Sequence, residues 1–102
     1  MKLFIITCLK EYQEDVQKIF KKALINAFSV TDVIGFKDNN LHPNPLGEWF
    51  ASGDEKFDSV MIFSFTTEEN AENGLELIRI YNETNNSGFP VRAFLVPVEK
   101  SL

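Results

Sequence analysis

Six segments with distinct hydrophobic periods follow one another along this chain, and their order is the strongest constraint on its fold. Leu3 to Cys8 is a short, almost wholly apolar run that reads as a strand. From Glu11 to Ala27 the period becomes helical: Val16, Ile19, Phe20, Ala23, Leu24 and Ala27 recur at three- and four-residue spacing and form one stripe. Glu11, Glu14 and Asp15 sit in its first turns, where negative charge suits the helix dipole. Phe28 to Lys37 holds Val30, Thr31, Val33, Ile34 and Phe36, residue types that suit a pleated surface, and reads as a second strand. Residues 38–56 have no period and contain Pro43, Pro45, Gly47 and Gly53, so they read as a long loop. Phe57 to Phe65 is a third strand. Thr66 and Glu69 have the spacing of a capping box that opens a second helix, with Ala71, Leu75, Ile78 and Tyr81 or Asn82 as its buried stripe. Val91 to Val98 closes the series as a fourth strand.

The order is βαββαβ, which predicts an α+β, ferredoxin-like fold. Right-handed crossovers would place both helices on one face of a four-stranded antiparallel sheet. The strands, however, are apolar on both faces: Leu3 and Ile5 alternate with Phe4 and Ile6, and Met61, Phe63 and Phe65 with Val60 and Ile62. Two helices cover one face, so the sequence predicts that another subunit covers the other; the alternative is the long loop folding back over it. The chain reads as a single domain of 102 residues, 1–102, long enough to bury a core without staples. One cysteine, Cys8, rules out an intrachain disulfide and points to a reducing cytoplasm; it reads as a small buried hydrophobe. The N-terminal run reads as a strand rather than a signal peptide, and no stretch reaches the length that membrane insertion needs. A net charge of −5 with scattered basic residues argues against nucleic acid as a partner.

The stretch "VTDVIGFKDN" from Val30 raises a sharper question, because a good strand there carries Gly35 near its end and runs into a polar loop. A glycine in that place serves a bulge, a turn, or a backbone that something else approaches closely. The stretch resembles the end of the second strand of the nitrogen regulatory P-II proteins, a Val-Thr-x-Val-x-Gly-Phe sequence that leads into a long effector-binding loop. The start "MKLFIITCLKEYQEDVQKIF" is similar to that family's strand, turn and helix. "VRAFLVPVEK" looks like its last core strand. The resemblance implies a homotrimeric, cytoplasmic signalling protein with effector sites in the clefts between subunits, an adenine nucleotide as the candidate effector, and a membrane transporter or enzyme as the target. By the same resemblance Ser29, Gly35, Phe36 and Asn39 fall on nucleotide-contacting positions and Arg92 on a phosphate-contacting one, where a guanidinium fork fits. The family's glycine-rich phosphate loop is reduced here to Gly88, and its tyrosine modification site has no counterpart between Asp38 and Lys56.

The loop of residues 38–56 carries the only tryptophan, Trp49, beside Phe50; the pair either packs on a neighbouring subunit or forms a recognition tip for a target protein. His42, the only histidine, stands near Asp38, Asp54 and Glu55, which leaves a second reading open: a metal-responsive, CutA-like trimer that binds divalent cations. A third is a ferredoxin-like interaction module with no small ligand. The sequence contains no P-loop, no dinucleotide fingerprint and no zinc-ligand spacing, and its lone histidine and cysteine are far apart, so no enzymatic chemistry is expected.

Overall fold

The strand register decides which side chains face the helices. In a computed structural model, residues 1–35 and 57–102 are described, with Phe57 as backbone only. They form β1 (Lys2–Leu9), a 3₁₀ turn at Lys10–Tyr12, α1 (Gln13–Lys22), β2 (Ser29–Gly35), β3 (Phe57–Thr66), α2 (Glu68–Thr84) and β4 (Arg92–Pro97). The four strands make one antiparallel sheet in the order β2-β3-β1-β4. Directly paired residues project from the same face. Phe4 pairs with Ser64 and Leu95, Ile6 with Ile62 and Ala93, and Cys8 with Val60, so these residues share a face.

That face is the one the helices cover. Phe4, Ile6, Val60 and Ile62 are fully buried, together with Val16 and Phe20 of α1 and Ala71 of α2. Phe4 stacks on Phe20 with ring centroids 5.4 Å apart, and Phe28 meets Phe20 edge-on at 5.3 Å. Ser64, on this side of β3, is buried and donates to the carbonyl of Ala27 in the chain leading to β2.

Several element boundaries differ from the sequence reading, and two of the differences have a clear local cause. The first helix ends at Lys22 rather than Ala27, because Leu24 takes a left-handed backbone (φ 64°). Its neighbours close a Schellman-type end: Ile25 N–H donates to Phe20 O at 2.9 Å and Leu24 N–H to Lys21 O at 3.1 Å. Leucine is a poor residue for that conformation, and its side chain is 67 % exposed, so nothing local in the sequence marks the stop. The second helix is capped by Thr67, whose Oγ1 accepts from Asn70 N–H at 3.2 Å, and not by a Thr66–Glu69 box. Thr66 is still paired with Lys2 in the sheet, so Thr67 is the first residue free to cap.

Gly74 of α2 lies directly over Phe4. A Cβ there would stand 2.7 Å from Cε2 and 2.9 Å from Cζ of the ring, which is held against Phe20 and cannot swing away. Alanine favours a helix by about 1 kcal/mol, but overpacking costs about 1–3 kcal/mol. Gly74→Ala is therefore expected to lower stability by up to about 2 kcal/mol in urea unfolding. A gain in stability would show that the ring has room.

Candidate functional site

The opposite face of the sheet holds Leu3, Ile5 and Thr7 of β1, Ser59, Met61, Phe63 and Phe65 of β3, Arg92, Phe94 and Val96 of β4, and Ser29, Thr31, Val33 and Gly35 of β2. Neither helix covers it. Phe65 is 58 % exposed, and Phe94 and Val96 are each 39 % exposed, whereas Thr7 and Ser59 are buried. Three residues singled out from the sequence, Ser29, Gly35 and Arg92, project from this one face.

They do not meet within one chain. Ser29 and Gly35 begin and end β2, at one edge of the sheet; Arg92 begins β4, at the other. β3 and β1 lie between them, so the two edges stand three strand spacings apart, roughly 14 Å. Arg92 pairs with Thr7, in the same row as Met61 and Thr31, while Gly35 lies four residues further along β2, opposite Phe57. The ladder runs one-for-one from Ser29↔Phe63 to Gly35↔Phe57, so Gly35 does not serve a bulge. Gly35 itself is buried.

Gly88 lies in the turn between α2 and β4, is exposed, and has φ of 84°, with nothing within 4 Å of where a Cβ would be. Its glycine is required by backbone conformation alone. Phe36, Asn39, His42, Trp49 and Phe50 lie outside the described residues. Among the described residues no group of three histidine, cysteine, aspartate or glutamate side chains is placed to hold a metal ion.

What fixes Arg92 is a residue the sequence left ambiguous. The Asn82 side chain in α2 donates from Nδ2 to Val91 O at 2.9 Å and accepts from Val91 N–H at 2.8 Å. An amide can imitate a strand neighbour in this way, and the pair locks the first residues of β4 onto α2. Tyr81, the other candidate for the stripe, packs against the core and reaches α1. Its hydroxyl donates to Asp15 at 2.7 Å and accepts from Asn85 at 3.1 Å, and its ring meets Tyr12 edge-on at 6.3 Å. Partial burial and the Asp15 carboxylate push the Tyr81 phenol up to about 12. No signal short of the α2–β4 geometry distinguishes the two residues.

Cys8 faces the helix-side core, as a small buried hydrophobe should, and burial pushes its thiol up to about 12. The raised native value means that the unfolded chain ionises first. The protonated thiol therefore favours the folded state fully below the ordinary thiol range, and that contribution is lost as pH rises from about 9 to 12. Cys8 in the folded protein at pH 8 is expected to react with a thiol reagent far more slowly than in urea. Equal rates would mean that the core opens readily.

Arg92 is partly buried, and among the described residues its side chain has no ion pair. Among the described residues, ion pairs lie elsewhere on the surface: Lys10 with Asp32 at 3.6 Å, and Arg79 with Glu76 and Glu83 along α2. Chemically, the helix-free face offers, among the described residues, a set of partly exposed apolar side chains, the Arg92 guanidinium at one edge, and a serine and a side-chain-free backbone position at the other. No helix of the described residues is long and apolar enough to cross a membrane. No family model matches this chain, and no curated protein matches it in sequence.

Proposed function

We propose that this chain is a P-II-like regulatory protein: a homotrimer that binds a small effector, with an adenine nucleotide as the candidate, in clefts between subunits. One observation carries the reading. Ser29, Gly35 and Arg92 project from the same helix-free face but from opposite edges of the sheet, so a site containing all three needs two copies of the chain. The strand order β2-β3-β1-β4, with one helix between β1 and β2 and the other between β3 and β4, supports the ferredoxin-like form of the fold. The unbroken ladder through Gly35 supports its use for close approach of backbone to a ligand. In this reading Phe36, Asn39 and Gly88 complete the nucleotide surface, residues 38–56 with Trp49 and Phe50 engage a target protein, and the protein works in the cytoplasm without catalysing a reaction.

A thermal-shift screen with ATP, ADP, AMP, cyclic dinucleotides and divalent cations tests this directly. A ligand present at 100 times its Kd adds about 2.7 kcal/mol of stability, which is readily visible. A shift with a nucleotide that weakens in Arg92→Ala is the expected result. A shift with zinc or copper alone, lost in His42→Ala, would replace the nucleotide reading by the cation reading.

A further inference from the structure

The end of α1 carries a residue that its own fold does not explain. Leu24 closes the helix with a left-handed backbone, φ 64°, and its side chain is 67 % exposed. A side chain makes that conformation costly, whereas glycine takes it freely and ordinarily ends helices in this way. Leucine here sustains the strain without packing on the core. A strained, exposed apolar residue points to a contact outside the chain.

The surroundings of Leu24 indicate what that contact is. On one side is the last turn of α1, where Lys21 and Lys22 are exposed and Lys21 O accepts from Leu24 N–H. On the other is the first turn of α2. There Asn70 Nδ2 donates to Leu24 O at 3.4 Å, directly after the exposed Glu68 and Glu69. Each charge suits the dipole of its own helix, but among the described residues none of these four side chains makes an ion pair. The corner therefore has a basic flank, an apolar centre and an acidic flank. Such a patch is complementary to itself: a second copy, turned by half a turn about Leu24, sets its lysines against the glutamates of the first. The whole chain carries a net charge of −5, yet Lys21, Lys22, Glu68 and Glu69 cancel, so copies meet here without adding to their repulsion. An anionic membrane or a wholly acidic partner would meet Glu68 and Glu69 as like charges.

We propose that this chain pairs with a second copy of itself through the α1–α2 corner. Leu24 of the two copies meet at the centre, with Lys21 and Lys22 of each copy opposite Glu68 and Glu69 of the other. The corner adjoins the start of β2, whereas Gly35 ends that strand about 20 Å further along. Pairing thus leaves the helix-free sheet face and the Gly35 end open, and it does not depend on the trimeric reading. One apolar contact and a few exposed ion pairs contribute little each, which places pairing in the roughly 0.1–1 mM range and not at micromolar concentration.

Sedimentation equilibrium of the full chain, from micromolar to millimolar concentration, tests this. The mass is expected to double from whatever unit prevails at micromolar concentration, and the doubling to weaken as salt rises. Leu24→Gly relieves the strain and removes the apolar contact. It is expected to raise the urea midpoint by roughly several tenths of a molar and to weaken pairing at least about tenfold. The double variants Lys21→Glu with Lys22→Glu, and Glu68→Lys with Glu69→Lys, are each expected to lose pairing alone. Mixed together they are expected to recover it, since only the mixed pair then brings opposite charges face to face. Wild type that stays undoubled at millimolar concentration, doubling that Leu24→Gly leaves unchanged, or charge variants that stay apart when mixed each overturn the proposal. A micromolar mass of one chain instead of three would count against the trimer and leave a doubling here intact.

Discussion

Ile62→Asp is expected to unfold the chain, and Phe63→Asp to leave it folded but unable to associate at micromolar concentration. Ile62 is fully buried between the sheet and the helices, paired with Ile6 on one side and Val30 on the other. An unpaired carboxylate there faces a penalty of several kcal/mol, against a total stability of roughly 5–15 kcal/mol for a domain. Phe63 is its immediate neighbour, yet it projects from the helix-free face beside Ile5 and Ser29 and is only partly buried. Circular dichroism and sedimentation together check the pair. A folded, associating Phe63→Asp protein would show that this face is not the interface.

Asn82→Ala is the second large effect. It removes both hydrogen bonds that hold Val91 and leaves a partly buried backbone N–H and carbonyl without partners. Each unsatisfied group costs about 1–3 kcal/mol, so a loss of about 2–6 kcal/mol is expected. Asn82→Asp keeps an acceptor for Val91 N–H but loses the donor to Val91 O, so it should fall between wild type and alanine. Hydrogen exchange at the Val91 amide gives a readout specific to this place: protection should drop in both variants, and more in alanine. Unchanged protection would mean that β4 is held by the sheet alone.

How far the sequence could be read differs from residue to residue. The apolar stripe Val16, Ile19, Phe20 and Ala23 was legible because helical period and burial coincide there, and all four are buried. Leu24 and Ala27 extend the same period but lie beyond the helix, since the stop depends on a left-handed leucine that no local rule marks. The α+β class and the antiparallel four-stranded sheet followed from the order of the periods. Which of Ile62 and Phe63 faces the core did not, because a strand apolar on both faces carries no alternation to read; the register supplies it. The candidate site divides in the same way. Gly35 and Arg92 were found by their motifs, but their placement on one face at opposite edges is a property of strand order. The stripe left Tyr81 and Asn82 open: Tyr81 packs on the core, while the role of Asn82 is to imitate backbone, and an amide in a helix announces nothing of that kind. Phe36, Asn39, His42, Trp49 and Phe50 remain readings of the sequence.

The mass of the protein in solution bears most directly on the central claim. Light scattering at micromolar concentration, without nucleotide and again with ATP, measures it without a label or a variant. A mass of three 11.7 kDa chains is the expected result. A mass of one chain in every buffer would contradict it, since a single chain cannot bring Arg92 and Gly35 into one site.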